Sequence, residues 1–155
     1  MPHTKLKVCS VLLIIYGAFD VIGTLSLLAM AALGGSDMLG SFFIVSSGTL
    51  TVIFLISALF YAGLAVSDLM AGINGLRYCG GSCDIKLCRI PAIAVIVLQA
   101  INFVLGMVGG EFSVAPVLHI VVAVICIVFA GKVEQYNLTR PAVEDTLVFN
   151  LKDGY

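Results

Sequence analysis

The chain has 155 residues, of which 61% are hydrophobic and 11% are charged, and its mean hydropathy is +1.15. Soluble domains are roughly 45–50% apolar and about 25% charged, and a water-soluble fold of this length cannot bury so much apolar surface. The net charge of -1 excludes the basic footprint that nucleic-acid binding needs. The composition therefore predicts an integral membrane protein whose first partner is the lipid bilayer, with no nucleic-acid partner.

Four apolar stretches are each long enough to cross about 30 Å of hydrocarbon, which takes roughly 20 helical residues. Barrel strands would alternate apolar and polar residues, and these stretches do not. The sequence therefore predicts an all-α protein, a four-helix transmembrane bundle within residues 1–131. The predicted spans are about 8–33, 43–71, 90–108 and 114–131.

A polar segment, 132–155, follows the fourth span and is predicted to be a cytoplasmic tail. We expect Pro141 to end any helix that continues out of the membrane, because proline lacks the backbone N–H that the next turn needs. The Leu, Val and Phe residues beyond it are enough for a short strand or a docking segment.

The basic residues predict the orientation of the bundle. The first and third loops carry Asp37 and Glu111 but no Lys or Arg, so every basic residue falls on one side, which the positive-inside rule assigns to the cytoplasm. We therefore expect a multi-pass protein of the plasma (inner) membrane with both termini cytoplasmic (N-in/C-in). The eight basic residues are Lys5, Lys7, Arg77, Lys86, Arg89, Lys132, Arg140 and Lys152.

Small residues recur at three- and four-residue spacing along each span, which places them on one helix face. In the second span these are Ala58, Ala62, Ala65 and Gly72. Helices in lipid associate through close packing of such residues. The pattern predicts a compact bundle, and also a partner that is a second copy of this chain or another membrane protein.

Asp20 lies near the middle of the first span, about 18 Å from the cytoplasmic edge. Placing an acid at that depth costs free energy, so such a residue faces the interior of the bundle and has polar partners. It would be either the coupling site for a proton or cation, or a structural contact that sets helix register. We expect it in an intramembrane polar node with Tyr61, Gln99, Asn102 and His119. Asp68 is expected near the headgroups as an ordinary interfacial acid, with pairing to Arg77 or Arg89 as the alternative.

Four cysteines are predicted to gather on the cytoplasmic face: Cys9, Cys79, Cys83 and Cys88. Their spacing is poor for zinc, since only Cys79 and Cys83 are close enough in sequence. No CxxC pair is present. We expect reduced thiols and no metal, with metal binding, redox sensing and acylation as the alternatives. Cys126, deep in the fourth span, is expected to serve packing.

Catalytic motifs are missing from the sequence: it has none of the common signatures of NTPases, metalloproteases or hydrolases. We therefore expect no enzyme activity and no cofactor. Two functions stay open. One is helix association with a partner, as an accessory, scaffold or immunity-type subunit. The other is a small proton- or cation-coupled transporter or channel, monomeric or dimeric, with Asp20 as its coupling site.

Overall fold

The computed structural model describes residues 2–34, 47–81, 83–108 and 113–152, with side chains described as far as Leu138. Helices account for 95% of these residues, and no strand occurs among them. The predicted loop residues Asp37 and Glu111 lie outside the described residues.

Four helices make up the described part of the chain, and each contains a stretch long and apolar enough to cross a membrane. The predicted all-α class and the four apolar helices are therefore confirmed. The second helix runs further toward the second loop than predicted, and the third begins earlier. The helices are α1 (Pro2–Gly34), α2 (Ser47–Cys79), α3 (Ile85–Val108) and α4 (Ala115–Lys152).

The turn between α2 and α3 is short because both helix ends are capped locally. Gly81 adopts a left-handed φ of 73°, which glycine reaches without a Cβ clash, and its N–H donates to the Tyr78 carbonyl at 3.0 Å. Asp84 Oδ1 accepts the Lys86 N–H at 3.1 Å and so caps the start of α3. α2 and α3 are therefore antiparallel neighbours.

Pro141 does not end the last helix, so that prediction is wrong. α4 continues as helix through Pro141 to Lys152. A proline in a helix removes one backbone hydrogen bond and crowds the preceding turn, but the turns on either side keep their own bonds. The segment predicted as a strand or docking tail is thus a helical extension of the fourth span.

The helices form an antiparallel ring in the order α1, α2, α3, α4, with α1 also packed against α4. The α1–α2 contact is especially close at Gly17 and Gly72. A Cβ placed on Gly72 would lie 2.6 Å from Ile14 Cγ1 and 2.7 Å from the Ser10 carbonyl oxygen. These small residues are thus used for packing inside the bundle, as helix association in lipid requires.

The two ends of the bundle differ. At the end where α1 begins, which we call the basic end, a buried core of small and branched residues joins all four helices; it includes Leu13, Val95, Ala123 and Cys126. The antiparallel ring also brings every basic residue with a described side chain to this end. Arg89 pairs there with Glu134 at 3.3 Å, linking α3 to α4.

At the opposite end, which we call the open end, the helices have unequal lengths. α1 continues about 21 Å beyond Asp20, whereas α4 starts about 6 Å from His119, at 1.5 Å per residue. Among the described residues, the α1–α2 pair therefore extends further than the α3–α4 pair and leaves a space beside it.

The outer surface of the bundle is apolar. Large side chains such as Phe19, Leu59 and Val108 are 65%, 76% and 82% exposed. A soluble monomer rarely exposes a continuous apolar surface of this kind, and such a surface is suited to contact with lipid chains.

Candidate functional site

The centre of the site is a buried contact between Asp68 of α2 and His119 of α4. Asp68 is completely buried and His119 is 3% exposed. His119 Nε2 donates to Asp68 Oδ1 at 2.8 Å. Gly17 of α1 makes this position of Asp68 feasible, because a Cβ there would lie 3.1 Å from the Asp68 Cβ.

Two amides of α3 orient the imidazole. Asn102 Nδ2 donates to Gln99 Oε1 at 3.4 Å, and Gln99 Nε2 donates to His119 Nδ1 at 2.7 Å. Because His119 Nδ1 accepts a hydrogen bond, the proton of a neutral imidazole is on Nε2, which donates it to Asp68. One face of the His119 ring stacks on the Tyr16 ring, with ring centroids 4.2 Å apart and ring planes 16° from parallel.

Asp20 of α1 faces the same contact. Its carboxyl lies within hydrogen-bonding reach of the Asp68 carboxyl, so the two can share a proton when one of them carries it. Asp20 Oδ2 and Asp68 Oδ2 have no other hydrogen-bond partner among the described residues. One ligand atom from each of Asp20, Asp68 and His119 falls within 4.8 Å of the others. We call these three residues the carboxylate–histidine site.

A cavity of about 460 Å³ leads from this site to the open end. It occupies the space beside the α3–α4 pair, and its rim includes Ser113 and Ala115 at the start of α4. Rings and amides line its deeper part, where Tyr16, Tyr61 and Asn102 surround Asp20. On the other side of the site, the packed core blocks the way to the basic end.

The structure thus brings all five predicted node residues to one place, since Asp20, Tyr61, Gln99, Asn102 and His119 line this one cavity. The prediction for Asp68 is wrong. Asp68 is a buried partner of His119 and neither an interfacial acid nor a partner of Arg77 or Arg89, because α2 continues eleven residues beyond it to Cys79. Arg89 instead pairs with Glu134. A sequence signal existed: Asp68 lies three residues from Ala65 and four from Gly72, on the small-residue face.

Among the described side chains, the basic group in contact with these carboxylates is His119. The charged groups that act on Asp20 are Asp68 and His119, and no Lys or Arg is among them. Two carboxylates in a low-dielectric interior repel strongly when both are ionised. A positive charge on His119, protons on the carboxylates or a bound cation must therefore compensate their charge.

The predicted cysteine cluster occupies two places. Cys9 and Cys88 belong to the buried core, while Cys79 and Cys83 are half-buried at the α2–α3 turn. All five cysteines are free thiols. Cys126, which the sequence assigns to packing, lies within hydrogen-bonding reach of Cys88.

Each of the turn thiols has its own carbonyl acceptor. Cys79 Sγ donates to the His3 carbonyl at 3.6 Å, and Cys83 Sγ donates to the Asn74 carbonyl at 3.2 Å. Within the described ranges, the carboxylate–histidine site is the one group of three metal-ligating side chains close enough to share an ion, and it contains no cysteine.

Comparison of the chain with protein-family models, with curated proteins and with solved structures finds no match.

Proposed function

We propose that this chain is a multi-pass integral membrane protein that carries a cation, with Asp20 and Asp68 as the cation site. The observation that supports this most is a fully buried Asp68 with an unpartnered oxygen, which lies against Asp20 and His119, two residues that line the cavity. Ionisable residues within membrane spans face the interior and commonly mark ion pathways. Asp68 pairs with His119 through Oδ1, and the Oδ2 atoms of Asp20 and Asp68 have no hydrogen-bond partner, so they remain available to a positive charge.

The shape of the bundle supports a carrier better than an open pore. The cavity admits a cation from the open end, whereas Leu13, Val95 and Cys126 are buried in the core on the other side. Transport then requires a second arrangement in which this core opens. We propose that the α3–α4 pair, which is shorter at the open end, moves against the closely packed α1–α2 pair. The protein would work in this way as a monomer or as a dimer.

The test is Asp20→Asn in purified protein reconstituted into liposomes. Internal pH and membrane potential are followed with dyes, so that both proton-coupled and electrogenic cation movement are detected. We expect the wild-type signal to fall by at least about ten-fold, the effect of losing roughly 1.4 kcal/mol of interaction with the moving ion. The variant should keep its helix content and its thermal midpoint.

Asp84→Asn is the matched control, because it removes the same charge from an exposed site at the basic end, and asparagine still caps a helix. It should leave the flux unchanged. Unchanged flux in Asp20→Asn together with an altered thermal midpoint would show that Asp20 is structural and would refute the carrier.

Helix association with a partner is the second candidate, as an accessory, scaffold or immunity-type subunit. The observation that favours it is the continuation of α4 to Lys152, well beyond Glu134, where Arg89 still contacts the helix. The glycines at the α1–α2 contact do not favour it, since they are already packed within the chain. If this candidate were correct, truncation after Asn137 would abolish partner capture, and the reconstituted wild-type protein would show no cation flux that depends on Asp20.

A further inference from the structure

We propose that the carboxylate–histidine site binds a divalent transition-metal ion. The inference rests on the proposed function, because it names the cation for the same site. It goes beyond that function in assigning His119 as a ligand and in choosing one class of ion over protons, alkali ions and Mg²⁺ or Ca²⁺.

Geometry is the first support. Donor atoms of Asp20, Asp68 and His119 lie within 4.8 Å of one another. Bonds of about 2.0–2.2 Å to oxygen and nitrogen place ligand atoms up to about 4.4 Å apart around a metal. The separation of about 4.4 Å applies to two ligands on opposite sides of the metal, and other pairs lie closer, so the three side chains would draw together around the ion. The cavity beside Asp20 and His119 leaves further positions for water.

Charge is the second support. Two carboxylates and a neutral imidazole together carry two negative charges, which one divalent ion cancels. No Lys or Arg is among the charged groups that act on Asp20. The resulting complex is neutral, which is what burial of Asp68 in a low-dielectric interior demands. A monovalent ion would leave one negative charge without compensation.

The third support is the donor set. Imidazole nitrogen suits Zn²⁺, Ni²⁺, Cu²⁺ and Fe²⁺, whereas Mg²⁺ and Ca²⁺ take oxygen ligands. His119 already presents Nε2 toward the carboxylates, held by Gln99 at Nδ1 and by the Tyr16 ring. Support of the second ring nitrogen by a hydrogen bond is the usual arrangement around a metal-bound histidine.

Metal binding through Nε2 requires a change of tautomer with no net loss of protons. The proton leaves Nε2 for water in the cavity, and water returns a proton to Nδ1. The Gln99 and Asn102 amides then both turn over, so that Gln99 Oε1 accepts from His119 Nδ1 and Gln99 Nε2 donates to Asn102 Oδ1. Gln99 and Asn102 are thus positioning residues, able to support either tautomer because each amide carries both a donor and an acceptor.

The experiment is a Co²⁺ titration of the purified full chain in detergent, followed by visible ligand-field absorption and by calorimetry. We expect one Co²⁺ per chain, displaced by Zn²⁺ but not by excess Mg²⁺. Asp68→Asn and His119→Gln should each weaken binding by at least about ten-fold. Circular dichroism establishes that each variant folds, and the less buried Asp20→Asn provides the same test if Asp68→Asn does not fold.

Two controls separate this site from other ligands. Asp84→Asn and Cys83→Ser should bind Co²⁺ as the wild type does. A thiolate charge-transfer band, displacement by Mg²⁺, or undiminished binding in His119→Gln would overturn the assignment. Cation flux without Co²⁺ binding would refute the metal site but not the proposal that the protein carries a cation. Co²⁺ binding without cation flux would support the metal site and refute transport.

Discussion

At the scale of single residues, Cys83 provides a direct chemical test of the α2–α3 turn. Partial burial raises the pKa of the Cys83 thiol above its ordinary value, the neighbouring Cys88 and Asp84 add to the rise, and Arg77 opposes it. The hydrogen bond to the Asn74 carbonyl also favours the protonated form. The reactive thiolate is therefore scarce at neutral pH.

We expect iodoacetamide to modify Cys83 more slowly than it modifies N-acetylcysteine in the same neutral solution. The rate should keep rising with pH beyond the ordinary thiol pKa of about 8.5, because deprotonation is delayed. Peptide mass spectrometry measures the extent of modification at this residue. Equal rates for Cys83 and N-acetylcysteine at neutral pH would contradict the described turn.

Asp68 shows what a single sequence can and cannot reveal about individual residues. Helical periodicity places Asp20, Gln99 and His119 at similar depth, and the structure brings them together. The position of Asp68 depends on where α2 ends and on which helix lies opposite, and neither is encoded in the local pattern. Its place on the small-residue face was visible, but the nearby Arg77 offered a simpler partner.

At the scale of helices, the α1–α2 contact depends on the absence of a side chain at Gly72. We expect Gly72→Ala to lower the free energy of unfolding by about 1–3 kcal/mol, the usual effect of overpacking. The added Cβ would meet Ile14 and the Ser10 backbone, which cannot both retreat without separating the helices. Thermal unfolding in detergent, followed by circular dichroism, measures the change.

Gly63→Ala is the control for that substitution, since it lies on the same helix and a Cβ there meets only Leu98 Cδ1 at 4.0 Å. Alanine is favoured over glycine in a helix by up to about 1 kcal/mol, so this variant should unfold at the same or a higher temperature. A loss of stability equal to that of Gly72→Ala would mean that the glycine contact is unimportant.

The helices themselves were the most predictable level of structure. Long apolar stretches with helical spacing admit few alternatives in a lipid environment. Their ends were less predictable, because capping by Gly81 and Asp84 acts over single residues. Pro141 shows the same limit, since one missing hydrogen bond is a local cost that neighbouring turns can offset.

At the scale of the whole molecule, the described basic side chains share one end with the α2–α3 turn. The positive-inside rule then predicts that this turn is cytoplasmic. A membrane-impermeant maleimide, applied at mildly alkaline pH, should modify Cys83 only after cells expressing the protein are permeabilised. Peptide mass spectrometry distinguishes Cys83 from the other cysteines.

Val114→Cys supplies the matched position at the open end, where Val114 is 54% exposed. This variant should be modified at residue 114 in intact cells. Modification of Cys83 in intact cells, with residue 114 protected until permeabilisation, would reverse the orientation and place the cavity mouth on the cytoplasmic side.

The cavity at the open end also has an electrical consequence. Water in it would extend the aqueous phase to His119, so that a voltage across the membrane would fall mainly over the packed half of the bundle. From His119 to Lys132 that half is about 20 Å thick along α4. A cation entering from the open end would therefore cross little of the field before it is bound. The whole driving force, about 2.3 kcal/mol per charge at 100 mV, would act on the step through the core.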